Sequence, residues 1–150
     1  MTLHDIQEAS YRHASGGILG SWPPERSLGA AELDAFLAKA RYCVLATTMA
    51  NGHPQARPVA FIPLGDTLWF ATAASGRLSN LERTPWVSVV VSEGAGDHHC
   101  AVVADGPVAI SGTPPEGILD IWEARFGSRA DWAVAWLELR PERVYSYTSA

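Results

Sequence analysis

Residues 42–85 read "YCVLATTMANGHPQARPVAFIPLGDTLWFATAASGRLSNLERTP". The run 42–48 is almost wholly apolar, and 54–63 forms a second such run. Asn51-Gly52 lies between them and favours a tight hairpin, because both residues tolerate positive φ. Pro54, Pro58 and Pro63 lack an N–H donor, so the second run belongs on an edge or bulged strand. A second turn at "LGD" leads into a third strand, 67–72. The character then changes: Ser75, Gly76 and Arg77 make a small, flexible, positively charged corner before a short helix over 78–83.

The flanking segments extend this pattern. Upstream, Leu33, Phe36, Leu37 and Ala40 recur on one face of a helix over 30–40. Downstream, Val87, Val89 and Val91 alternate with Ser88 and Ser92, as in a half-buried strand. A glycine-rich turn then precedes a long strand over 98–111, expected to bend near Gly106-Pro107. "TPPE" predicts a helix that runs to about Phe126, with Thr113 as N-cap, Pro114 in the first turn and Glu116 closing a capping box. Two strands, 132–139 and 143–148, end the pattern, and on the first of them Trp132 and Trp136 would share a face. The expectation is a mainly β fold, an antiparallel barrel of six to seven strands with a few short helices. Residues 1–26 read as an N-terminal leader and 27–150 as the barrel domain.

The chain has 150 residues, which suits one domain with a proper core. A net charge of −5 argues against nucleic acid as a partner. Cys43 and Cys100 sit in apolar runs and read as reduced core thiols. No basic start with an apolar run reads as a signal peptide, and no run has the length of a membrane span. A cytoplasmic protein is therefore expected. The only lysine, Lys39, lies on a polar helix face, which gives a Schiff-base mechanism little support.

The corner at 72–77 has the chemistry of an anion site. A strand that gives way to a helix leaves backbone N–H groups unpaired, with the helix dipole behind them. Ser75 offers a hydroxyl, Gly76 allows close approach and Arg77 offers a planar fork for phosphate oxygens. Thr72 adds a second hydroxyl at the strand end. The plainer reading makes Ser75 an ordinary cap and Arg77 a solvated charge. "DHHC", 97–100, lacks zinc-ligand spacing, and adjacent histidines on a strand point to opposite faces, so no metal is expected. No serine sits in a nucleophile-elbow context.

The ordered elements resemble the split β-barrel family of pyridoxamine 5′-phosphate oxidase-like flavoproteins, especially its short actinobacterial branch that uses FMN or the deazaflavin coenzyme F420. The motifs are Leu45-Ala46-Thr47, Gly52-His53-Pro54, Pro58-Val59, Thr72, and Arg77 followed by Asn80-Leu81 and Pro85. The later "ADGPVAI" and "LELRPERVYSYTS" are also similar to the family's closing strands, so the resemblance spans about residues 30–148. It implies an FMN-binding, Greek-key split barrel acting as a homodimer, with flavin in a groove between two barrels. It places Arg57, Pro58 and Val59 near the flavin, and Thr72, Ser75, Gly76 and Arg77 at its phosphate. His99 would reach the partner's flavin ring.

Four departures go with the resemblance, and the first is a spacing from Thr72 to Asn80 one residue shorter than the family pattern. Arginine stands at Arg77 where the family usually has lysine. Ala101 sits near the place of a cofactor-binding glutamine. The C-terminal extension of the vitamin-B6 oxidases is missing, so pyridoxamine phosphate is not the expected substrate.

The resulting expectation is a flavin-dependent oxidoreductase that binds FMN and transfers hydride to or from a small-molecule substrate. An F420-dependent reductase and a non-catalytic flavin- or haem-binding protein are the alternatives. For the longer anionic tail of F420, Arg12, Arg26, Arg125 and Arg129 are candidate partners.

Overall fold

The computed structural model describes residues 1–149. The hairpin at Asn51-Gly52 forms as expected between β1 (Tyr42–Thr48) and β2 (Pro54–Ala60), with Gly52 at φ 85°. β2 bonds to β1 on one side only, so its prolines sit where no ladder donor is missed. The second apolar run is interrupted at Phe61, and its remainder is a separate strand, β3 (Ile62–Leu64). Phe61 itself is fully buried. β3 returns through a turn at Gly65 to β4 (Thr67–Thr72).

β5 (Trp86–Ala95) pairs with β1 and with the long β6 (His98–Ser111). At Gly106-Pro107, β6 changes partners. Before it, residues pair with β5 and with β8 (Arg143–Thr148); from Val108 onward they pair with β7 (Ala135–Leu139). β7 in turn pairs with β4. Among the described residues the result is eight antiparallel strands in the order β2-β1-β5-β6-β7-β4-β3, with β8 on β6. β2 and β3 end the path without bonding to each other, so the barrel is split. The fold is mainly β, and one strand richer than expected because of the break at Phe61.

The inward faces of both halves meet in one core of Leu45, Phe70, Val89, Val102, Leu137 and neighbours. Helix α3 (Ala30–Lys39) closes one end with Leu33 and Leu37. A second cluster lies outside β4 and β7, where Trp122 packs on Trp136, Ala71 and Ile62.

The leader segment folds onto the barrel. Helix α1 (Leu3–Arg12) has a capping box between Thr2 and Asp5 and buries Leu3, Ile6, Gln7 and Ser10. Gln7 Nε2 donates to the Leu28 carbonyl at 2.9 Å, and Ser146 Oγ of β8 donates to Gln7 Oε1 at 2.5 Å. Val144 N donates to Ser10 Oγ at 3.0 Å. Every polar group that α1 buries here is thus matched. Helix α2 (Gly16–Ser21) and a 3-10 turn at Pro24–Arg26 link α1 to α3.

Two local expectations are corrected. The helix predicted from Thr113 starts later, as α5 (Ile118–Phe126), with Gly117 at φ 81° as its N-cap. Pro115 disfavours helical ψ at Pro114, so no helix can begin there, and the Thr113 N–H bonds back to Ser111 Oγ instead. The strand predicted from Trp132 starts only at Ala135, because Ala133 N closes a turn onto the Ala130 carbonyl. Trp132 therefore lies in that turn, and it does not share a strand face with the buried Trp136.

Two predictions follow from this packing. A Cβ on Gly106 would lie 2.5 Å from the Arg140 carbonyl and 3.0 Å from Pro141 Cα. Gly106→Ala is expected to destabilise by about 1–3 kcal/mol, the scale of overpacking, read as a lower urea midpoint. Burial pushes the Cys43 thiol up to about 12 and raises that of Cys100 as well. At about pH 8 the native protein should alkylate slowly at both thiols and rapidly in urea, as mass spectrometry would record.

Candidate functional site

Helix α4 (Gly76–Arg83) begins four residues after β4 ends. Ser75 is its N-cap in extended conformation, and its hydroxyl makes no capping bond. The first N–H groups of α4 have no intrahelical acceptor, as at any helix start. The expected cap bond of Ser75 is absent, which leaves the hydroxyl free for a ligand.

α4 is docked through Asn80 and Leu81, both buried. Asn80 Nδ2 donates to Thr47 Oγ1 at 3.1 Å and to Gln55 Oε1 at 3.2 Å. Arg83 Nη2 donates to Asn80 Oδ1 at 2.9 Å and to the Thr48 carbonyl at 3.2 Å. These bonds set α4 against the β1–β2 hairpin and so bring Arg77 beside β2.

Arg77 is half-buried, and its Nη1 donates to Thr72 Oγ1 at 3.4 Å. Burial draws its pKa below the usual arginine range, and the positive charge of Arg57 acts in the same direction. The two guanidiniums are therefore near enough to repel. They line a hollow of about 410 Å³ with Gln55, Pro58, Ser75 and Gly76. No carboxylate is in that lining. An adjoining hollow of about 330 Å³ shares Pro58, Ser75 and Arg77 and is walled by Val59, Trp122 and Trp132. One hollow thus offers donors and positive charge, and its neighbour offers flat apolar walls. That donor set fits a phosphate monoester, and the neighbouring walls fit an aromatic ring system.

Of the expected residues, Arg57, Pro58, Val59, Ser75, Gly76 and Arg77 come together here. Thr72 lines the second hollow with them and is largely buried. Its hydroxyl donates to the Ala73 carbonyl and accepts from Arg77, so it steadies the guanidinium. His99 is not in this corner of its own chain. The row through Arg57, Leu45, Val89 and Ala104 places it three strands across and five residues along β6, stacked on Tyr147 at 5.4 Å. Among the described residues no group of three or more His, Cys, Asp or Glu side chains is placed to hold a metal.

Gln55 and Trp122 were not singled out in the sequence. Gln55 shares its strand face with Arg57 and Val59 by simple alternation, which was a usable signal. Trp122 gave no such signal, because its place depends on how α5 covers β4 and β7. Three of the four candidate tail cations are otherwise engaged. Arg125 donates to the carbonyls of Leu37, Ala38, Ala40 and Phe61. Arg129 pairs with Asp120 and Glu123, and Arg26 donates to the Ser149 carbonyl.

Comparison with known proteins agrees with this fold. Among solved structures, Rv2991 from Mycobacterium tuberculosis superposes with TM-score 0.72 at 22% identity, covering 84% of this chain and 88% of that one. HutZ, the heme storage protein of Vibrio cholerae, gives 0.68 at 19% identity, covering 79% and 94%. An FAD-binding protein of Mesorhizobium loti gives 0.63 at 22% identity, covering 83% and 98%. At these identities the likeness is one of fold. No curated protein matches. The family model described as pyridoxamine 5′-phosphate oxidase matches residues 30–148, and the chain belongs to that family.

Proposed function

We propose that the protein is an FMN-dependent oxidoreductase that transfers hydride to or from a small-molecule substrate. The observation that carries this reading is the pair Arg57 and Arg77. They face one carboxylate-free hollow at the start of α4, with a tryptophan-walled hollow beside it. The two guanidiniums, the Ser75 hydroxyl and the first amides of α4 would hold the phosphate. Val59, Trp122 and Trp132 would orient the ring and exclude water from one side of it. Bound FMN supplies the hydride chemistry. Neither lining contains Asp, Glu or His, so no side chain of these hollows serves as acid or base. The accompanying proton would come from solvent or substrate.

Coenzyme F420 is the alternative cofactor, since it also carries a phosphate. Its longer anionic tail needs further cations, and the engagement of Arg125, Arg129 and Arg26 favours the shorter FMN. A non-catalytic flavin- or haem-binding protein is the remaining alternative, and the stacking of His99 on Tyr147 gives its haem form little support.

We further propose that two copies associate. Val44 and Val90 are register partners on the outer face of β1 and β5. With Tyr42 and Trp86 they leave apolar area exposed on that face, of the kind that marks an interface.

Titration of the purified protein with FMN and with F420, followed by fluorescence, tests the cofactor. FMN is expected to bind more tightly, and binding of neither would refute the reading. Arg77→Ala is expected to weaken FMN binding by about 1–3 kcal/mol, the scale of a charge-assisted hydrogen bond. Light scattering should give the mass of two chains, and Val90→Asp should move it toward one. A monomeric parent protein would refute the association.

A further inference from the structure

We propose that Gln55 is a further cofactor-binding residue, one whose amide NH2 is turned toward the anion at the start of α4 by the side chain of Asn80. The inference rests on reading that corner as a phosphate site.

The argument follows the donors. A guanidinium can only donate. Arg83 Nη2 lies 2.9 Å from one end of the Asn80 amide, so that end must be the carbonyl oxygen. The other end of Asn80 is then its NH2, and it faces Thr47 Oγ1 and Gln55 Oε1. Both of its hydrogens are thereby used. Gln55 must accept with its oxygen, because the reversed amide would set NH2 against NH2 in a partly buried place. A group that cannot be reversed thus fixes two amides in sequence.

Gln55 Nε2 is left facing away from Asn80, with no hydrogen-bond partner among the described residues. Gln55 lines the hollow that also holds Arg57, Ser75, Gly76 and Arg77. Its position there has a physical advantage. A third cation would add to the repulsion between Arg57 and Arg77. An amide adds a donor without adding charge. Gln55 would therefore serve phosphate recognition specifically, and would do nothing for the flavin ring.

The test compares FMN with riboflavin, which lacks the phosphate. The wild-type protein is expected to prefer FMN clearly. Gln55→Glu keeps an oxygen toward Asn80 and turns another toward the phosphate. It should lower FMN affinity by about tenfold or more, with riboflavin affinity changed by less than about twofold. Gln55→Met removes the donor without adding charge and should give a smaller fall in the same direction. Asn80→Asp keeps the contact with Arg83 but removes the donor that orients Gln55, and should also reduce the preference for FMN. Thermal melting of each variant reports on folding separately. If Gln55→Glu and Gln55→Met both keep the wild-type preference, Gln55 has no such role. If the wild-type protein binds FMN no better than riboflavin, the phosphate corner itself is wrong.

Discussion

One buried amide organises the region around the candidate site. Asn80 joins α4 to both strands of the first hairpin, with its two hydrogens and its oxygen all engaged. A buried amide with satisfied partners holds a narrow geometry, because any tilt leaves a polar group unpaired away from water. α4 is only eight residues long and has little stability of its own. Its position therefore depends on Asn80 and on the buried Leu81. Through them the direction of the helix start, and the approach of Arg77 to Arg57, follow from the hairpin.

The other wall of the site has a different anchor. α5 carries Trp122 and, in its last turn, Arg125, whose guanidinium reaches carbonyls at the end of α3 and at Phe61. Those carbonyls belong to a helix terminus and to the break between β2 and β3, where regular partners run out. Arg125 also lies over the rings of Phe61 and Phe126 at 5.1 and 5.6 Å. One side chain thus satisfies open backbone acceptors and fixes the helix that presents Trp122. It explains why a cation on α5 is not available to a ligand.

Much of the first half of the fold was legible in the sequence. The Asn-Gly turn, the prolines on the edge and the valine alternation each express a local backbone rule, and each rule held. The corner at Ser75–Arg77 was legible for the same reason, since a helix start is a local event. What escaped was set by distance or by small local competition. Two consecutive prolines shifted the start of α5 beyond Thr113, and a turn at Ala130–Ala133 displaced Trp132 from its expected strand. The burial of Thr72 and its bonds to Ala73 and Arg77 depend on strands far away in the chain. The orientation of Gln55 depends on Arg83, twenty-eight residues later, and no periodicity records it.

The docking of α1 on β8 carries a consequence for how the molecule is made. Gln7 and Ser10 find their partners at Ser146 and Val144, separated from them by 139 and 134 positions. During synthesis α1 emerges well before β8, the strand that completes its polar contacts. Until then an amphipathic segment must wait with its apolar side unprotected, in a fold already rich in slow, non-local pairings. The same arrangement ties α1 to β8, so local opening of either element is opposed by the other.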